Sequence, residues 1–188
     1  MKAKDTLQRF GFVSQLFHWV LAVLIIVQLV VILFYEEVPK ESPLKPELMM
    51  FHKSIGMTIL VLGLGFIIWR LINQRPLLPE NMNKASKFLA KLVHFFLFVF
   101  LVVLPITGFT LSTLAGRVTS WFGLFDFPLL LAENDGLAPL FKEIHEYLGF
   151  TLIGLLILHV LAALYHHFVK KDNVLKHMLP AGCNKQQQ

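Results

Sequence analysis

The sequence is poor in charge and nearly free of cysteine. Asp, Glu, Lys and Arg make up 15% of its 188 residues, where a soluble domain carries about 25%. The one cysteine, Cys183, stands in a polar tail, so there is no disulfide framework and no thiolate metal site. No internal repeat is visible, and the chain is too short for a transporter built from paired repeats. The apolar/polar alternation of a membrane β-barrel strand is missing as well. The pI near 9.4 does not point to nucleic acid, because the basic residues gather at the edges of apolar runs.

Apolar residues fill the space that charge leaves. They make up 56% of the chain, with a mean hydropathy of +0.66, far too apolar for disorder. Four runs hold most of them, at about 13–34, 48–69, 88–113 and 147–169. Each is about 20 residues or longer, enough for a helix to cross a hydrocarbon core of about 30 Å. In lipid only helices and closed barrels satisfy their own backbones. The expected fold is therefore an all-α, four-transmembrane-helix bundle, one domain over 1–180 with a disordered tail at 181–188. The first run is too long for a signal peptide. Tyr35, Glu36 and Glu37 follow it rather than a small-residue cleavage site, so it reads as a retained span.

Charge gives the orientation. The N-terminus, the loop between spans two and three, and the tail carry 12 Lys/Arg against 3 Asp/Glu, a net +9. The other two loops carry 5 against 9, a net −4. By the positive-inside rule both termini face the cytoplasm. The second outer loop, Arg117 to Glu146, is long and partly apolar (Trp121, Phe122, Leu124, Phe125, Phe127). It reads as a short lid on the outer interface or as a poorly ordered loop.

Histidine is the unusual chemistry. Ionisable residues inside spans are costly and usually functional, and the chain has eight histidines. His145 and His159 are 14 residues apart, about 40° short of four full turns, so they share a helix face about 21 Å apart in height. His52 opens the second span on the outer side, and His18 lies a few residues into the first span on the inner side. Depth thus sorts them into two pairs, His52 with His145 and His18 with His159. A small residue follows each by four: Ala22, Gly56, Gly149 and Ala163. Residues at i and i+4 share a face, and a flat macrocycle held edge-on to a helix needs such a gap beside its ligand. Gly and Ala fill 21 of 188 positions, so four in four is an unusual coincidence. A single intramembrane histidine is as well explained by an interhelical hydrogen bond; the pairs are not.

Zinc normally takes three or four ligands, often with Cys or carboxylate, and no carboxylate lies deep in any span. Two facing neutral imidazoles suit the axial positions of haem iron. No Cys-x-x-Cys-His occurs, so the cofactors expected are two non-covalent b-type haems, each bis-histidine and seated between helices.

These residues resemble a known family. Phe17-His18-Trp19, His52-Lys53-Ser54-Ile55-Gly56, Trp69-Arg70-Leu71, Leu104-Pro105-Ile106-Thr107-Gly108, the segment from His145 through His159 to Asp172, and Val174 to Pro180 are similar to the bacterial cytochrome b561 family. They are also similar to the wider group of b-type cytochrome subunits of hydrogenases and formate dehydrogenases. An Arg often stands in the family at the place of His177. The resemblance implies an inner-membrane di-haem cytochrome with ligands at His18, His52, His145 and His159, and ubiquinone as electron partner.

Haem propionates need cationic or polar partners. Lys53 suits the outer haem, and Arg70 or Arg75 the inner one; all three also read as snorkelling anchors. Lys142 and Arg117 are weaker outer candidates. His94, at about the depth of His18, is a rival ligand, a partner to a propionate or quinone, or a packing residue. His166 lies seven residues after His159 on the same face, as a proton donor to a quinone or a wet interfacial imidazole. The expected function is transmembrane electron transfer linked to the quinone pool. Some family members are held to pass electrons from superoxide to ubiquinone, an oxidoreductase activity; the net −4 outer loops oppose steering an anion. The alternative is a membrane-anchor cytochrome b subunit serving a partner dehydrogenase or hydrogenase. A channel is weakened by the absence of a polar pore face, and a homodimer is compatible with the sequence.

Overall fold

The computed structural model describes residues 3–74, 76–77 and 82–179. Four long helices dominate: α1 (Phe12–Glu37), α2 (Leu44–Ile72), α3 (Lys84–Leu114) and α4 (Leu137–Tyr165). All four are long and apolar enough to cross a membrane. The molecule is a multi-pass, four-helix membrane bundle. α1, α2 and α3 overrun their apolar runs at both ends and α4 at its start, because hydropathy marks the lipid-facing length, whereas polar caps set the helix starts. Asn83 Oδ1 accepts from Ser86 N (2.7 Å) at the start of α3. Asn134 Oδ1 accepts from Gly136 N and Leu137 N (3.1 and 3.0 Å) at the start of α4. The longer α4 takes in His145, which the apolar run left just outside. Arg75, Cys183 and the tail 181–188 lie outside the described residues.

Apolar side chains face outward along every helix; Ile26, Val61 and Phe150 are 61%, 66% and 71% exposed. Among the described residues the largest fully buried side chains are small and polar, Ser14, Ser54 and Thr113, and apolar side chains including Leu21, Ile59, Phe66 and Leu114 are buried as well. Small residues and hydrogen bonds of this kind let helices approach closely in lipid.

The chain divides into two compact units. The first comprises Met1–Val20, Gly65–Val99 and Leu152–Gln188. Phe66 stacks on Phe17 (ring centroids 5.4 Å) and meets Phe98 (5.3 Å). The buried Asp5 carboxylate accepts from Gly11 N (2.7 Å) and Ser14 Oγ (2.8 Å) and pairs with Arg70 (3.5 Å). It thus lies beside the positive N-terminus of α1. Trp69 Nε1 donates to the same Ser14 hydroxyl (2.9 Å). Gly11 is required here, since a Cβ would strike the Ala3 carbonyl. After α4 come a π-helical turn (His166–Lys170), Lys171 in the left-handed region (φ 54°) and a 3-10 turn (Lys176–Met178). Trp19 Nε1 bonds Met178 O (2.9 Å), Gln15 Nε2 bonds His177 O and Leu179 O (3.2 Å each), and Arg9 bonds Leu179 O.

The second unit comprises Leu21–Leu64 and Phe100–Thr151. In it the loop expected to be a lid or poorly ordered forms an antiparallel hairpin, β1 (Thr119–Trp121) with β2 (Phe125–Phe127). Phe122 and Gly123 turn the chain at positive φ (50° and 72°). The hairpin is fastened to α2. Ser54 Oγ accepts from Phe122 N (2.9 Å) and shares its proton between Met50 O (2.7 Å) and Ser120 O (3.0 Å). Trp121 Nε1 donates to Thr58 Oγ1 (3.1 Å).

Candidate functional site

Two histidine pairs form, one inside each unit. In the first unit the rings of His18 (α1) and His159 (α4) stand 6.2 Å apart, centroid to centroid, at 64°. In the second, His52 (α2) and His145 (α4) stand 6.1 Å apart at 87°. These are the pairings expected from depth. Two imidazoles bound to opposite sides of one ion, with metal–nitrogen bonds of about 2.0–2.1 Å and each ring nitrogen about 1.1 Å from its ring centre, have centroids roughly 6 Å apart. Both pairs have the spacing that a shared haem iron requires.

The side chains around His145 fix the orientation of its ring. Thr107 Oγ1 donates to Leu104 O (2.8 Å) and so receives the proton of His145 Nδ1 (3.1 Å). The other ring nitrogen, Nε2, keeps a free lone pair, the arrangement usual for metal-binding histidines. Gly108 lets the ring in: a Cβ there would lie 2.8 Å from His145 Cε1. Both residues belong to Leu104-Pro105-Ile106-Thr107-Gly108, which the sequence offers only as a matching motif. Of the small residues at i+4, Gly149 faces open space, and a Cβ on Gly56 would meet Gln28 Nε2 at 3.4 Å. Gln28 was not singled out from sequence. Its signal is that it is the one polar residue between Trp19 and Tyr35.

His94 also lies in the first unit, its ring 5.1 Å from that of His159. That is shorter than the spacing of two ligands across one ion, so His94 sits beside His159 rather than opposite it through a metal. Its Nδ1 donates to Ala90 O (2.6 Å), leaving Nε2 as an acceptor. His166 Nδ1 bonds Asp172 Oδ2 (2.5 Å), and Asp172 Oδ1 accepts from Val174 N (3.0 Å). The π turn brings these two together across six residues, a contact that α-helical spacing does not offer. Arg70 is engaged by Asp5 (3.5 Å) and by the face of Phe10 (4.8 Å). Lys53 donates to Ser112 Oγ (2.6 Å) and Val118 O (3.2 Å). Outside the spans, burial and the neighbouring Arg9 pull the His177 imidazole below its ordinary value, with Asp172 opposing.

Comparison with known proteins agrees with the fold. A family model described as prokaryotic cytochrome b561 matches residues 9–181. Cytochrome b561 homolog 2 of Escherichia coli (strain K12) is 32% identical over 186 residues, covering 95% of each chain. A Yersinia pestis protein named Probable superoxide oxidase CybB is 33% identical over 165 residues, covering 87% of this chain and 91% of its own. Cytochrome b561 homolog 1 of the same E. coli strain is 30% identical over 128 residues, covering 62% and 70%. A match of this extent, on four membrane-crossing helices, places the chain in the prokaryotic cytochrome b561 family.

Proposed function

We propose that the protein is a di-haem b-type cytochrome of the bacterial inner membrane, carrying electrons across the bilayer in exchange with the quinone pool. The observation that carries this reading is the ring spacing of 6.2 and 6.1 Å in two separate histidine pairs. His18 and His159 hold one haem, and His52 and His145 the other. Bound haem iron supplies the one-electron chemistry. The chain supplies ligand identity, orientation and a dry surround. Thr107 fixes the His145 tautomer, Gly108 admits its ring, and the apolar helices exclude water. In this reading residues 1–180 are one transmembrane cytochrome domain with both termini in the cytoplasm, an orientation supported by the net +9 of their side. Lys53 and Arg70 are the proposed propionate partners near the helix ends; Lys53 would exchange its bonds to Ser112 and Val118 for the propionate, and Arg70 would take it up beside Asp5 and Phe10. His166, its Nδ1 held by Asp172, offers Nε2 for proton exchange with a quinone.

Superoxide as electron donor is the narrower reading. It is supported by the name of the Y. pestis relative and opposed by the net −4 of the outer loops, which repel an anion. Quinone-linked transfer is therefore favoured over superoxide:ubiquinone oxidoreductase activity. The second reading, an anchor subunit, draws on the charge of the loops, acidic outside and basic from Arg70 to Lys91, as docking surfaces. Purification in mild detergent separates the two: a larger redox subunit in constant ratio supports the anchor. The test of the main reading is anaerobic mixing of the purified, haem-replete protein with ubiquinol. The expected result is reduction of haem b, read from its optical bands. A two-haem preparation that neither quinol nor quinone can reduce or oxidise contradicts it.

A further inference from the structure

The second unit leaves two buried side-chain atoms unsatisfied among its described residues: His52 Nδ1 and Gln28 Oε1. They belong to residues already in contact. Gln28 Nε2 donates to His52 O (2.9 Å) and lies 3.3 Å from His52 Nε2. An amide nitrogen carries only protons to give, so the second contact is a hydrogen bond when His52 Nε2 holds a lone pair. The His52 proton then sits on Nδ1, an assignment made from the network. One unsatisfied atom is thus a donor and the other an acceptor. Buried polar groups are almost always paired, and an exception asks for an explanation.

His145 provides the comparison. Its Nδ1–H already rests on Thr107 Oγ1, and its Nε2 is free to bind a metal. His52 has the same tautomer, but the lone pair needed for iron is engaged by the Gln28 amide. That amide lies against Gly56, at the gap expected to receive the edge of a macrocycle. Occupation of Nε2 by iron takes away the acceptor of the amide N–H. The amide oxygen still lacks a donor, and the Nδ1–H still lacks an acceptor.

We propose that Gln28 is the positioning residue of His52: in the haem-loaded protein its Oε1 accepts the His52 Nδ1–H, as Thr107 does for His145. This rests on the bis-histidine reading above. A hydrogen bond accepted from the far ring nitrogen makes an imidazole a stronger donor to the metal and fixes its orientation. Ferric iron is favoured, so the potential of the His52–His145 haem is lowered.

The test compares Gln28→Leu and Gln28→Glu in the full chain, with redox titration and low-temperature spectra of both haems. A His18→Ala background isolates the His52–His145 signal, and Thr107→Val serves as the reference change on the same haem. Gln28→Leu is expected to raise the potential of this haem only and to weaken its retention about 10–100-fold. Gln28→Glu keeps an acceptor oxygen and loses the amide N–H; it is expected to retain the haem and lower its potential. The proposal is overturned if both variants leave the potential unmoved, if both raise it alike, or if both lose the haem. Either of the last two outcomes would mean that the amide bond to His52 O is what counts. A His145→Ala protein that keeps both haems defeats the parent reading instead, whatever Gln28 does.

Discussion

Single side chains decide this site, and the four paired histidines were legible because an imidazole in an apolar run is conspicuous. A titratable group in lipid needs a partner or a purpose, and depth together with a small residue four positions on sorted four of the eight into pairs. The groups that steer those imidazoles were not legible. Thr107 and Gly108 read as members of a motif, and only the fold shows the hydroxyl on His145 Nδ1 and the missing Cβ against its ring. Gln28 stood out by polarity, but an isolated amide in a span serves equally well as an interhelical bond. Gly108→Ala puts a methyl group 2.8 Å from His145 Cε1. Overpacking of this kind costs about 1–3 kcal/mol. The expected result is loss or spectral broadening of the His52–His145 haem with the other haem unchanged, read from reduced-minus-oxidised spectra. An unaltered spectrum would show that the ring has room to move.

At the scale of elements, the sequence marked where the helices lie but not where they end. Hydropathy reports contact with lipid; the ends are set by caps such as Asn83 and Asn134, which apolar runs do not reveal. The hairpin was missed for a related reason. Its strands are three residues each, too short for a period, and their hold on α2 runs through the hydroxyls of Ser54 and Thr58. Ser54→Ala leaves Phe122 N without its partner and costs about 1–3 kcal/mol. The segment 119–127 is expected to exchange its amide protons faster and to be cut sooner by protease, with both haems retained. Unchanged exchange there would place the fastening elsewhere.

The segment after α4 gives a pH prediction. The His177 value is lowered by burial and by Arg9, so the unfolded chain binds its proton more readily than the docked one. The docked form is then favoured above about pH 6.5 and loses that advantage as pH falls toward the lowered value. The protection of the amides of residues 174–179, measured relative to their intrinsic exchange rate at each pH, is expected to fall on acidification, and His177→Gln to flatten that response. A response of the same size in the variant would assign it to another group.

For the whole molecule, four membrane-crossing helices and the family followed from the length of the apolar runs and from motif order. Sidedness rests on the net +9 against −4. Reporter fusions test it: a cytoplasmic reporter is expected to be active at either terminus, and a periplasmic one in the loop holding the hairpin. The reverse pattern would exchange the faces assigned to the two histidine pairs. The most direct measurement is haem b per polypeptide in the purified protein, with single replacements of the paired histidines. The account predicts two low-spin haems, one lost in His145→Ala and the other in His18→Ala. A colourless protein from haem-replete cells, or two haems that survive both replacements, would contradict it.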